Sequence, residues 1–160
     1  MTLKLKDFLT LGNLSMGLLS VLSSVYGFAN YASAFVLLVI AVVFDFLDGK
    51  VARMTKPDEF GKQLDSLADL ASFGIAAPVV AFFFFGTLLD AFGVVVFACC
   101  TAIRLARFNL QKEKGFFFGL PSPVAALALL AVAPFAKGYL FLPMILLGFL
   151  MVSGFRVKKL

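Results

Sequence analysis

Twenty consecutive residues, Leu70 to Leu89, carry no charge, and about 20 apolar residues is what one helix needs to cross the hydrocarbon core of a bilayer. Five further apolar segments, Phe8–Ala29, Tyr31–Phe44, Ala91–Ile103, Phe116–Ala136 and Gly138–Phe155, are separated by short charged or turn-forming stretches. Ala91–Ile103 is short, so its helix is expected to begin before Asp90 or to continue past Arg104. With 62 % of its 160 residues apolar and 14 % charged, the chain lacks the polar material to coat a soluble domain. The expected fold is all-α: one membrane domain over residues 1–160, with six transmembrane helices.

Charge sets the orientation. If the N-terminus is cytosolic and six spans alternate, 13 of the 14 Lys and Arg residues fall on the cytosolic side and only Lys137 falls outside, as the positive-inside rule requires. Both termini are then cytosolic. The net charge of +5 therefore reads as orientation in the cytoplasmic membrane and contact with anionic lipid, not as nucleic-acid binding. Lys4 and Lys6 before an apolar stretch imitate a signal peptide, but further spans follow and no small-residue cleavage site opens onto a soluble chain, so a retained first span is expected. Cys99 and Cys100 are neighbours in an apolar run and read as packing residues. The chain has no histidine, which removes the commonest general base and leaves acid–base and metal chemistry to carboxylates.

Four of the nine acidic residues, Asp45, Asp48, Asp65 and Asp69, sit at or inside apolar segments, where a carboxylate is costly and points to function. Asp45 and Asp48 are three apart, Asp65 and Asp69 four apart, so each pair lies on one helical face. Pro57 breaks any helix running through the intervening stretch. One helix is expected to end near Met54 and the next to start near Asp58 or Glu59, making antiparallel neighbours whose four carboxylates meet near the cytosolic interface. Lys50, Arg53 and Lys62 are expected to point to other faces or towards water, so the repulsion calls for divalent metal. An all-oxygen donor set suits Mg²⁺ or Mn²⁺ and also admits Ca²⁺, and a pair of ions suits chemistry on a diphosphate. Gly49, Ala52 and Gly61 are small residues on the same helices. With Arg53, which can fork onto phosphate oxygens, they form a candidate diphosphate-binding floor.

The stretch from Asp45 through Asp48, Gly49, Ala52 and Arg53 to Gly61, Asp65 and Asp69 resembles the signature of the CDP-alcohol phosphatidyltransferases. Seven residues separate Arg53 from Gly61, one fewer than the usual family pattern. The shortening falls in the turn holding Pro57 and leaves both aspartate pairs intact. The segments TLGNLSMG, DSLADLASFG, RLARFN, GLPSP and LMVSGFRVKK are similar to the phosphatidylserine synthase branch of that family, which favours serine as acceptor over glycerol 3-phosphate or inositol phosphate.

The resemblance implies that Asp45, Asp48, Asp65 and Asp69 hold two divalent metals, that Asp69 also takes the proton from the acceptor hydroxyl, and that Gly49, Ala52, Arg53 and Gly61 cradle the cytidine diphosphate. Thr10 and Asn13, three apart on the first helix, are candidate additions to the nucleotide site. The implied donor is CDP-diacylglycerol or its archaeal ether-lipid equivalent, and the implied assembly a homodimer among membrane lipids. Serine also brings a carboxylate, and Arg104, Arg107 and Asn109 at the cytosolic end of the fourth segment are the candidate acceptor-binding residues, because Arg binds a carboxylate in a fork that Lys cannot reproduce. The rival from another class is a cation-coupled transporter whose membrane aspartates bind the transported ion.

Overall fold

In the computed structural model, which describes residues 4–28, 30–54, 59–110, 116–153 and 156–158, the apolar segments form six helical rods among the described residues. They are α1 (Leu5–Val25), α2 (Tyr31–Met54), a composite third rod, α5 (Asp90–Leu110), α6 (Ser122–Val132) with a 3-10 turn at Ala133–Phe135, and α7 (Phe141–Val152). The third rod runs from α3 (Glu59–Asp69) through a π-helical segment, Leu70–Ala76, into α4 (Ala77–Phe85). Four rods, α1, α2, Glu59–Phe85 and α5, are long and apolar enough to cross a membrane; Ser122–Phe135 and Phe141–Val152 are shorter. The fourth segment solves its length by continuing past Arg104 to Leu110.

The fold is all-helical as expected, with one short ribbon at the start of the fifth segment. Phe116–Phe118 form a strand, β1, paired antiparallel with β2 (Arg156–Lys158), Phe117 opposite Val157. Gly119 follows at φ 72°, a left-handed conformation suited to glycine, and the α6 helix starts at Ser122, after Pro121. The helix therefore begins later than the apolar run. The turn expected around Pro57 lies outside the described residues, as do Asp58, Ala29 and Phe155.

In α1, α2 and α5 buried positions form a seam advancing in steps of three, four or seven. In α1 it is Lys6, Thr10, Asn13, Gly17, Ser20 and Ser24; in α2 it is Ala34, Leu38, Ala41 and Asp48; in α5 it is Asp90, Gly93, Phe97 and Cys100. The seam of α1 is polar or small throughout, the reverse of a helix in water. Lipid is as apolar as leucine, so helices in a bilayer associate through close packing of small residues and polar contacts, and leucines are left outside. Gly17 shows the closeness: a Cβ there would lie 2.8 Å from the Cα of Ser72. The third rod is central, with 56 % of its apolar stretch buried against 28 % or less for the other three long rods. Its Phe73, Ala77, Val80 and Ala81 form the core with Phe97, Leu129 and Met144.

Prolines create openings that the fold fills. Pro78 has no N–H for the Gly74 carbonyl, and just ahead of it the third rod widens to the i→i+5 register, Ala77 N–H bonding the Ser72 carbonyl. Pro134 likewise denies a partner to the Leu130 carbonyl, and the Tyr31 hydroxyl donates to it instead. At the same end of the bundle Asp90 is fully buried. One carboxylate oxygen accepts from Thr87 N and Oγ1 at 2.7 and 2.8 Å, and the other accepts from Phe141 N at 2.7 Å. Asp90 therefore caps the start of its own helix and ties the start of α7 to it. Replacing it strands three donors, so Asp90→Ala is expected to destabilise the bundle by about 3 kcal/mol and Asp90→Asn by about half as much, as unfolding in detergent micelles would measure.

Candidate active site

The four aspartates come together at the end of the bundle where α2 and α3 meet. Ligand oxygens of Asp45, Asp48 and Asp65 lie within 4.8 Å of one another, and Asp69, one turn beyond Asp65, contacts Asp45. Asp48 and Asp69 are buried, whereas Asp45 and Asp65 are partly exposed. The third helix of the site is α1. The Thr10 hydroxyl donates to Asp48 Oδ2 at 2.7 Å and the Asn13 amide to Asp69 Oδ1 at 3.1 Å. The two residues expected to touch nucleotide are thus bonded to the carboxylates themselves.

Beside the cluster is a cavity of about 520 Å³. Asp45, Asp65, Asp69, Gly49, Arg53 and Arg104 all line it. Lys50 lines it too; Lys50 and Arg53 are both exposed, on the water side as expected, at the rim where the last turns of α2 reach the cavity. Its apolar wall comes from Phe46, Leu105, Phe108, Pro121 and Pro123. Phe46 and Phe108 also reach the outer surface, with 71 and 43 % exposure. Gly49 has nothing within 4 Å of where a Cβ would sit, which leaves a smooth floor. Ala52 is exposed on α2 and outside the lining.

Gly61 is turned away from the cavity. It is buried against α1, and a Cβ on it would lie 2.2 Å from Lys6 Nζ and 3.1 Å from Asp7 Oδ1. Its smallness serves the approach of α1 to α3.

The three candidate acceptor residues separate. Arg104 continues the buried seam of α5 into the cavity, its charge acts on Asp69 and Asp45, and its Nη1 donates to Ser122 Oγ at 2.5 Å. Arg107 is exposed and donates to the Val152 carbonyl at 3.0 Å, away from the lining. Asn109 is a clasp between helices: its side-chain amide donates to Ser66 Oγ at 2.8 Å, while Lys62 Nζ donates to its backbone carbonyl at 2.7 Å. Ser66, which lines the cavity, was not singled out from the sequence; its position next to Asp65 was the available signal.

The residues present fit a divalent cation. The donor set is oxygen only, the type that hard cations take, and three carboxylates are already converged. Two buried polar atoms nearby, Asn13 Oδ1 and Arg104 Nε, have no hydrogen-bond partner among the described residues, so the site retains capacity for ligands. Crowded carboxylates oppose folding when no cation is bound. Asp48→Asn is therefore expected to raise the melting temperature of the metal-free protein in detergent while removing most of the additional stability gained on adding Mn²⁺.

The matched family model, CDP-alcohol phosphatidyltransferase, covers residues 3–156. The chain is 36 % identical over 158 residues to the CDP-diacylglycerol–serine O-phosphatidyltransferase of Methanocaldococcus jannaschii, covering 97 % of this chain and 74 % of that protein. It is 41 % identical over 135 residues to the archaetidylserine synthase of Methanothermobacter thermautotrophicus, covering 78 % of this chain and 55 % of that protein. To the CDP-diacylglycerol–serine O-phosphatidyltransferase of Bacillus subtilis it is 31 % identical over 159 residues, covering 92 and 86 %. These matches extend well beyond the aspartate-bearing stretch, and the chain belongs to the CDP-alcohol phosphatidyltransferase family.

Proposed function

We propose that the chain transfers the phosphatidyl group of a CDP-lipid to the hydroxyl of serine, releasing CMP. The observation that carries this reading is the placement of Asp69 and Arg104 side by side in one cavity, next to three converged carboxylates. The serine assignment follows the names borne by the relatives.

Asp45, Asp48, Asp65 and Asp69 would hold a pair of Mg²⁺ or Mn²⁺ ions. Divalent charge at that position neutralises diphosphate oxygens and stabilises the CMP leaving group. Gly49 leaves room for the diphosphate to approach the backbone, and Lys50 and Arg53 meet its charge from the rim. The lipid chains would lie along Phe46 and Phe108 towards the bilayer. Arg104 receives the carboxylate of serine, with its unpartnered Nε–H as one tine of the fork. Asp69, steadied by Asn13 through one oxygen, takes the hydroxyl proton on the other. The serine oxygen then forms a bond to the lipid-side phosphorus as the bond from that phosphorus to the CMP oxygen breaks. Positioning and electrostatics carry most of the acceleration.

The same reading places six spans in the cytoplasmic membrane as a single domain, with both termini and the cavity on the cytosolic side, and two copies associated as a homodimer. The archaetidylserine synthase relative makes an ether-linked donor as reasonable as an ester-linked one.

The test is CMP release by purified protein with Mn²⁺ or Mg²⁺ and ester or ether CDP-lipid, offered serine, glycerol 3-phosphate or inositol phosphate in parallel. Release with serine alone is the expected result, and release only with another acceptor would discard serine. Asp69→Asn is expected to lower turnover by about a thousandfold, the scale of a lost general base. Arg104→Lys is expected to raise KM for serine about tenfold with the KM for CDP-lipid unchanged, because a lysine cannot reproduce the fork.

A further inference from the structure

Lys6 does not behave as a lysine that merely anchors a helix at the membrane surface. Such a residue keeps its ammonium in the headgroup region, as exposed Lys4 can, but Lys6 is only 7 % exposed. It sits in the first turn of α1, where the helix dipole disfavours a cation. Burial and position both count against it, and both costs need a compensating partner. The ammonium sits where a side chain of Gly61 would be, with the buried Asp7 carboxylate also at that point, one helical turn before Asp65, and its charge acts on Asp65. Lys6, Thr10 and Asn13 follow one another along the α1 seam and address Asp65, Asp48 and Asp69 in turn. The last two contacts orient carboxylates; the first brings a full charge to them.

We infer that Lys6 is a resident counter-cation of the carboxylate cluster, a positioning residue that holds the metal-free site together and limits how tightly it binds divalent metal. This rests on the reading that the four aspartates bind metal. A fixed positive charge beside a ligand carboxylate stabilises the cluster when it is empty and repels an incoming ion. The site is thereby kept folded before loading and is kept from holding its metal irreversibly. A side chain at position 61 would displace the ammonium from its present seat.

The test compares wild type, Lys6→Met, Lys6→Gln and Lys6→Arg in detergent, purified with Mn²⁺ and stripped just before measurement. Mn²⁺ affinity is read from the electron paramagnetic resonance signal of the free ion, and melting temperature is taken with and without Mn²⁺. Both neutral variants are expected to bind Mn²⁺ roughly tenfold more tightly, with Lys6→Arg close to wild type. The melting temperature of the neutral variants should fall more in the metal-free state than in the loaded one. A lysine that only packs α1 against α3 would lower both melting temperatures equally and leave Mn²⁺ affinity unchanged, and that result overturns the inference. Weaker Mn²⁺ binding in both neutral variants also overturns it. Failure of the wild-type protein to bind Mn²⁺ would remove the metal reading itself and this inference with it, an outcome distinct from the preceding two.

Discussion

Four carboxylates confined to one end of a helical bundle repel one another, and much of the structure around them is a response to that repulsion. In water, carboxylates at this separation are screened; beside lipid they are not. The fold answers on three sides. α1 supplies the Thr10 and Asn13 donors together with the Lys6 charge, α5 supplies Arg104, and the end of α2 brings Lys50 and Arg53 to the cavity. None of these alone neutralises the cluster. Thr10 and Asn13 fix the directions of two of the carboxylates, as the supporting residues of a metal site do.

The third rod faces the cavity at one end and the core at the other. α3 carries Asp65 and Asp69 towards the cavity; α4 buries Ala77, Val80 and Ala81 in the core. The π-helical segment between them begins directly after Asp69. A wider turn changes the phase of everything downstream, so the carboxylate face and the packing face need not continue one another. Pro78 makes the wide register affordable, since an α register would leave the Gly74 carbonyl without its donor. The segment is also pinned, with Ser72 donating to the Asn13 carbonyl at 3.0 Å. Asn13 thus grips the rod twice, by its carbonyl at Ser72 and by its amide at Asp69, and the carboxylate is held to the same helix that orders the turn behind it.

The aspartate spacing made the heart of the site legible, because steps of three and four on a helix fix a face whatever the rest of the fold does. The α1 seam was legible too, but in the polar minority: residues 6, 10, 13, 17, 20 and 24 advance in steps of four and three. Apolar periodicity is silent in a lipid-exposed helix, so the phase has to be read from its small and polar residues. Other features depend on neighbours that one-dimensional spacing does not contain. Gly61 shares the family motif with Gly49, yet one faces α1 and the other open space. Arg104 and Arg107 are three apart, yet only the first continues the seam of α5, and the second is drawn to the end of α7. The β1–β2 ribbon joins segments about forty residues apart, a pairing no local pattern announces.

The distribution of cations argues for a division of labour between two anionic partners. Arg53 is exposed on the last turn of α2, with Lys50 one turn earlier, where a large charged group can arrive from water without being stripped of its hydration at once. Arg104 is less exposed and is held by Ser122 at the start of α6. A guanidinium fixed at its back can meet a small carboxylate without losing much side-chain freedom on binding. In the proposed reaction a lipid diphosphate entering along the aromatic wall would be matched to the outer cations, and a small amino-acid acceptor to the inner one. Asp69 lies within reach of the inner cation's field, so the carboxylate proposed to accept the proton would be on the proposed acceptor's side of the cavity.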